Sequence, residues 1–107
     1  MPNRRLDKLL EMLKIQPEDS FLIYAVGFEY EAIGEDAKAM TYYYEILERH
    51  PDYLPVYYQG GLLVAKMGKS DKAVSLFKQG IELAKVQNDK KTLRELNEAL
   101  FEIEDEE

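Results

Sequence analysis

The sequence predicts an all-α domain of about six helices, and three observations support this prediction. Apolar residues recur at intervals of three and four, the spacing of one helical face. Prolines and glycines interrupt the chain at roughly helix-length intervals. The chain also matches itself when it is shifted by 34 residues, as expected for stacked helical units.

The first three helices are bounded by proline, glycine and capping residues. Pro17 ends the first, and Asp19 or Ser20 can cap the second. Gly34 follows the second helix and Pro51 closes the third, because neither residue continues a helix well. These signals predict helices over 4–15, 20–33 and 36–49.

The last three helices follow the same rules. Pro55 lies in a first turn, where its missing N–H costs little, and Gly68 ends that helix. A polar break at 87–89 precedes a final amphipathic helix. The predicted helices are 53–67, 70–86 and 90–103, and the acidic end of the chain is expected to fray.

The 34-residue shift pairs small, aromatic and aliphatic residues in one register. Glycines match glycines, alanines match alanines, and a tyrosine matches a phenylalanine. The pairs are Gly27 with Gly61, Gly34 with Gly68, Ala39 with Ala73, Tyr43 with Phe77, Leu47 with Ile81, and Pro17 with Pro51. The small residues would allow close helix approach, with Tyr30, Tyr43, Phe77 and Leu47 filling the space between helices.

This pattern resembles the tetratricopeptide repeat (TPR) family. The resemblance implies a right-handed superhelix of antiparallel helix pairs forming a single domain, 1–107. Its parts are a half-repeat helix (1–17), two full repeats (20–53 and 54–87), a capping helix (90–104) and an acidic tail (105–107). Asn97 takes a small-residue position in the capping helix, which departs from the family pattern.

The resemblance also implies a concave groove that binds a peptide or helix. Helix 20–33 carries a second apolar stripe outside its packing stripe of Val26, Gly27, Tyr30 and Ile33. Carried onto this chain, the groove residues are Phe21, Tyr24, Phe28, Tyr58, Gln59, Leu62, Lys66, Arg94, Glu98 and Phe101. The sequence therefore predicts a non-catalytic protein-interaction module with an aromatic groove.

Two alternatives stay open for that stripe. The last helix could cover it, or a second copy of the chain could bury it in a homodimer. Arg4 and Arg5 lie near the start of the sequence, and five of its last six residues are acidic. These opposite charges could also promote head-to-tail stacking. A carboxylate-clamping groove is not expected, because Tyr24 and Phe28 stand where such TPR clamps have lysine and asparagine.

Composition excludes several kinds of function. The chain has no cysteine and one histidine, His50, so thiolate and multi-histidine metal sites are not expected, and no cofactor is predicted. No nucleophile elbow or phosphate-binding glycine loop occurs, which argues against an enzyme. His50 is interpreted as a helix-end residue, and Tyr42 and Tyr44 as half-covered surface residues.

The charge and hydropathy of the chain limit the kinds of partner that we expect. A net charge of −7 argues against nucleic acid, whose partners carry basic surfaces. No signal peptide is visible, and no uncharged stretch approaches the roughly 20 residues of a membrane span. We therefore expect a cytoplasmic protein without a membrane partner.

Overall fold

The computed structural model describes residues 3–105, which form six α-helices. They are α1 (Arg4–Ile15), α2 (Ser20–Ala32), α3 (Asp36–Arg49), α4 (Pro55–Lys66), α5 (Ser70–Gln87) and α6 (Lys90–Asp105). The chain divides after Pro51 into an N-terminal unit of α1–α3 and a C-terminal unit of α4–α6. The predicted all-α fold of six helices is confirmed.

The N-terminal unit is organised around α2, which packs on both α1 and α3. Side chains of Asn3 and Asp19 accept backbone N–H groups at the starts of α1 and α2, satisfying donors that the helices leave free. Gly34 takes a positive φ of 84° between α2 and α3, a conformation that suits glycine. The fully buried side chains are Ile23, Val26, Ala39, Tyr43 and Ile46.

The C-terminal unit packs α5 against both α4 and α6. Gly68 has a φ of 82° at the turn into α5, and Asn88 has a φ of 58° at the turn into α6. Asp89 then accepts the Thr92 backbone N–H at 3.0 Å, which caps α6. Val56, Leu63, Val64, Ala73, Phe77, Ala84 and Leu96 are at most 1% exposed.

Each unit contains the same contact between a glycine and an aromatic ring. A Cβ on Gly27 would lie 2.7 Å from Cε1 of Tyr43, and one on Gly61 would lie 2.8 Å from Cδ1 of Phe77. The repeated small residues predicted that these glycines bring helix backbones together. What they accommodate is the buried aromatic ring of the following helix.

Several predicted boundaries and one packing assignment were wrong. The fourth helix begins at Pro55 and not at 53; proline is favoured at the first helical position, where its missing N–H is not needed. The last helix continues through Asp105, so that residue is helical; Glu106 and Glu107 of the predicted tail lie outside the described residues. Ile33, assigned to the packing stripe, follows the end of α2 and is 51% exposed.

The structure shows where His50, Tyr42 and Tyr44 lie on and beside α3. His50 is the C-cap of α3, and its backbone N–H bonds to the Ile46 carbonyl. Tyr42 is half-buried and stacks on Tyr30 at 5.6 Å between ring centroids, while Tyr44 is 40% exposed.

Among the described residues, no helix combines the length and apolar character needed to cross a membrane.

Candidate functional site

The most apolar exposed surface of the N-terminal unit lies along α2. Asp19 caps this helix, so its regular turns start at Ser20 and place residues 21, 24, 25, 28 and 32 on one face. We call this face the α2 strip; it consists of Phe21, Tyr24, Ala25, Phe28 and Ala32. The opposite side of the helix is buried through Leu22, Ile23 and Val26.

Two of the three rings of the α2 strip are exposed, and the third, Tyr24, contacts one of them. Phe21 is 62% exposed and Phe28 is 45% exposed. Tyr24 is half-buried, and its ring centroid lies 6.2 Å from that of Phe28 and 5.8 Å from that of Tyr43. The buried Tyr43 thus supports Tyr24, which in turn supports Phe28, at separations typical of favourable aromatic pairs.

The α2 strip carries no charge, and the two carboxylates that flank it are engaged elsewhere. The hydroxyl of Tyr43 donates to Oε1 of Glu31 at 2.9 Å. Burial, together with the Glu31 carboxylate, raises the pKa of Tyr43 far above its ordinary value of 10, so the hydroxyl stays protonated. On the other side, Nε of Arg5 lies 3.0 Å from Oε1 of Glu29.

The C-terminal unit carries the other predicted groove residues on α4 and α6. On α4, Tyr58 and Gln59 are half-buried, Leu62 is 38% exposed, and Lys66 is exposed. On α6, Arg94 and Glu98 are exposed, and Phe101 is 70% exposed. Unlike the α2 strip, this set mixes apolar and charged side chains.

Two depressions show which of these residues the fold brings together. Leu62 shares a cavity of about 160 Å³ with Ala99, Glu102 and Ile103, so α6 lies beside Leu62 but leaves it partly exposed. Glu98 and Phe101 line a separate depression on α6 with Asn97 and Glu102. In the N-terminal unit, the fold brings the rings of Tyr24 and Phe28 together.

Sequence reasoning missed other exposed apolar residues. Ala25 and Ala32 complete the α2 strip, and their spacing from Phe21 and Phe28 was the available signal. Met12 and Ile15 on α1 are 42% and 80% exposed, and Val86 on α5 is 82% exposed. Met12 and Ile15 stand three residues apart on α1, and Met12 lies beside Leu9 at helical spacing.

The feature that the described surface offers to a partner is its apolar contact area. Within residues 3–105, no three acidic or histidine side chains come together in a way that could hold a metal ion. The aromatic rings and uncharged face of α2 can be covered by another apolar surface, which would be favourable in proportion to the area removed from water.

Comparison with solved structures decides the family. A tetratricopeptide repeat domain protein from Salinibacter ruber, solved in solution, is 34% identical to this chain, with a TM-score of 0.81. The match covers 85% of this chain and 92% of that one. The chain belongs to the tetratricopeptide repeat family. No family sequence model matches it.

Two further structures agree with this assignment. A crystal structure of a TPR domain protein, also from Salinibacter ruber, is 32% identical and has a TM-score of 0.81, covering 83% of this chain and 99% of that one. A protein from Bordetella parapertussis shares the fold at 20% identity and a TM-score of 0.83, covering 99% and 91% of the two chains. TPR domains are in general protein-interaction scaffolds and are typically non-catalytic.

Proposed function

We propose that this TPR protein is a non-catalytic interaction module that presents the α2 strip to an apolar peptide or helix of a partner protein. The single observation that carries the proposal is the exposure of Phe21 and Phe28 on a helix face without a charge. Apolar faces of this kind on soluble domains commonly mark interaction sites.

The contacts around the α2 strip suit a partner whose docking surface is uncharged. Glu29 and Glu31 flank the strip, but Arg5 and the Tyr43 hydroxyl already bind their carboxylates. A charged partner segment would be desolvated against the aromatic rings without a matching countercharge on the strip. An amphipathic helix could instead place its apolar side chains against Phe21, Tyr24 and Phe28.

The predicted groove residues of α4 and α6 could enlarge the binding surface, but the proposal does not depend on them. Four of these groove residues, all on α4, lie 34 residues after members of the α2 strip. They are Tyr58, Gln59, Leu62 and Lys66, which follow Tyr24, Ala25, Phe28 and Ala32. Their role and that of Arg94, Glu98 and Phe101 in binding remain predictions, as does the cytoplasmic location.

Selection from a random-peptide display library tests the proposal. Peptides selected on the wild-type protein should carry apolar residues at helical spacing. They should bind Phe28→Glu at least about tenfold more weakly, as loss of a central aromatic contact does in other interfaces. Val86→Glu is the matched control, because it places the same charge at an 82% exposed apolar residue of α5. Equal binding to wild type and Phe28→Glu would contradict the proposal.

The alternative of a self-buried α2 strip has a different outcome in solution. If two copies cover each other's strip, the wild-type protein should have twice the 12.5 kDa mass of one chain. Phe28→Glu should then return it to the mass of one chain, whereas Val86→Glu should not. Light scattering after size-exclusion chromatography measures both.

A further inference from the structure

We propose that α6 of one molecule and α1 of a second copy dock as the two helices of one additional tetratricopeptide repeat. The contact does not use the α2 strip, on which the function proposed above rests, although it includes Phe101 of the predicted groove. Three observations lead to it: the repeat register, the exposure of the corresponding residues and the charges of the two helices.

The register makes α1 equivalent to the second helix of a repeat and α6 equivalent to a first helix. Residues of α1 stand 34 positions before those of α3, so Leu9 corresponds to Tyr43 and Met12 to Ile46. With the two-residue insertion before α6, Leu93 stands 36 positions after Tyr57, and Phe101 stands 36 after Ala65.

Positions buried inside the complete helix pairs are uncovered in α1 and α6. Tyr43 and Ile46 are fully buried, yet their counterparts Leu9 and Met12 are half-buried and 42% exposed. Likewise Tyr57 is 6% exposed, whereas its counterpart Leu93 is half-buried and lines a cavity of about 200 Å³. Each helix therefore presents the face that a partner helix of the opposite type covers elsewhere in the fold.

The repeat geometry predicts which side chains would meet. In the N-terminal unit, Tyr43 contacts Glu31, the position that corresponds to Phe101. In the C-terminal unit, Gly80 approaches Tyr57, and these two positions correspond to Met12 and Leu93. Phe101 of one copy should therefore lie against Leu9 of the next, and Leu93 against Met12.

The charges of the two helices are complementary where they would be closest. In a repeat, the end of the first helix is joined by a short turn to the start of the second, as α2 is to α3. The end of α6 carries Glu102, Glu104 and Asp105. The start of α1 carries Arg4 and Lys8, together with Arg5, which pairs with Glu29, and the acidic Asp7. Docking would bring these acidic and basic groups together.

Both sets of charges oppose the dipole of their own helix. At the start of α1, where acidic residues are favoured, two arginines outnumber the single acidic residue Asp7, and α6 has no basic residue in its last turn. The pattern is thus unfavourable to each helix alone but favourable between two copies.

The test uses two variants that each block one face. Met12→Glu blocks the α1 face and Phe101→Glu blocks the α6 face, while Val86→Glu is the exposed apolar control outside both. Wild type and Val86→Glu should increase in mass with concentration in sedimentation velocity, and salt raised from about 0.1 to about 1 M should weaken this association. Each blocked variant alone should stay at the mass of one chain.

Mixing the two blocked variants gives the deciding measurement. Met12→Glu keeps an intact α6 face and Phe101→Glu keeps an intact α1 face, so their equimolar mixture should form a one-to-one dimer. Circular dichroism of each variant must show wild-type helix content, so that loss of association is not loss of folding.

Several results would overturn the proposal. The first is a wild-type protein that stays at the mass of one chain at every concentration. The second is an equimolar mixture of the two blocked variants that stays monomeric. The third is association that is lost in Phe28→Glu but kept in Met12→Glu and Phe101→Glu. The last result would place self-association on the α2 strip. Equal peptide binding to wild type and Phe28→Glu, with association behaving as expected here, would instead overturn only the function proposed for that strip.

Discussion

The core around Gly61 has no room for an added methyl group. A Cβ at this position would lie 2.8 Å from Cδ1 of Phe77, whose side chain is 1% exposed and has little room to move. Overpacking costs about 1–3 kcal/mol, and the better helix propensity of alanine offsets about 1 kcal/mol of it.

We therefore expect Gly61→Ala to lower the free energy of unfolding by about 1 kcal/mol, measured by urea denaturation. Adding Phe77→Leu should make the double variant less destabilised than the sum of the two single changes, because the smaller side chain leaves room for the methyl group. Strict additivity would contradict the clash.

A second residue-scale prediction concerns Ala39, which is fully buried on α3. Ala39→Leu should lower the free energy of unfolding by about 1–3 kcal/mol, because three additional carbon atoms must enter a filled core. Ala37→Leu is the matched control, since Ala37 is exposed on the same helix and should be nearly neutral. Thermal unfolding of both variants decides the prediction.

At the scale of elements, the start of α6 depends on the Asp89 carboxylate. Its two oxygens accept the backbone N–H and the hydroxyl of Thr92 at 3.0 and 2.9 Å. The hydrogen bond from the Thr92 N–H, followed by that from the hydroxyl, lowers the pKa of Asp89 below its ordinary value of 3.8.

The sign of the pH dependence follows from that lowered pKa. The stabilising contribution of Asp89 is fully present above pH 3.8 and is lost as the pH falls through the lower folded-state value. Asp89→Ala should therefore have a lower urea midpoint than wild type at pH 7, and the gap should close below the folded-state pKa. A gap that is unchanged in strong acid would show that the carboxylate charge is not the cause.

The helix boundaries show which structural features local sequence signals such as proline and glycine can predict. Gly34, Gly68 and Pro17 marked turns correctly because their backbone restrictions act within one or two residues. The start of α4 was misplaced because Tyr53 continues the apolar pattern, whereas Pro55 takes the first helical position, which suits proline. The sequence offered Asp19 and Ser20 as caps for α2, and the hydrogen bond to the Leu22 N–H selects Asp19.

At the scale of the whole molecule, each unit has its own buried core. The N-terminal unit is centred on Tyr43 and the C-terminal unit on Phe77. In repeat proteins, stability is approximately a sum of unit and neighbour terms, so a local perturbation is felt most in its own unit.

Gly61→Ala should accordingly speed amide hydrogen exchange in α4–α6 more than in α1–α3, and Ala39→Leu should do the reverse. Native-state exchange followed by mass spectrometry resolves the two halves. Equal acceleration across residues 3–105 in both variants would show that the chain opens only as a whole.

The sequence by itself determined the fold class, the number of helices and the repeat register, because periodicity, proline and glycine act locally and recur every 34 residues. It also pointed to Phe21, Tyr24 and Phe28 as a separate apolar stripe. Exposure needed the tertiary structure, because a buried stripe and a surface stripe have the same spacing in sequence. Only packing decided that the glycines hold aromatic rings, that Tyr43 and Arg5 engage the carboxylates beside the strip, and that Met12 and Phe101 remain uncovered.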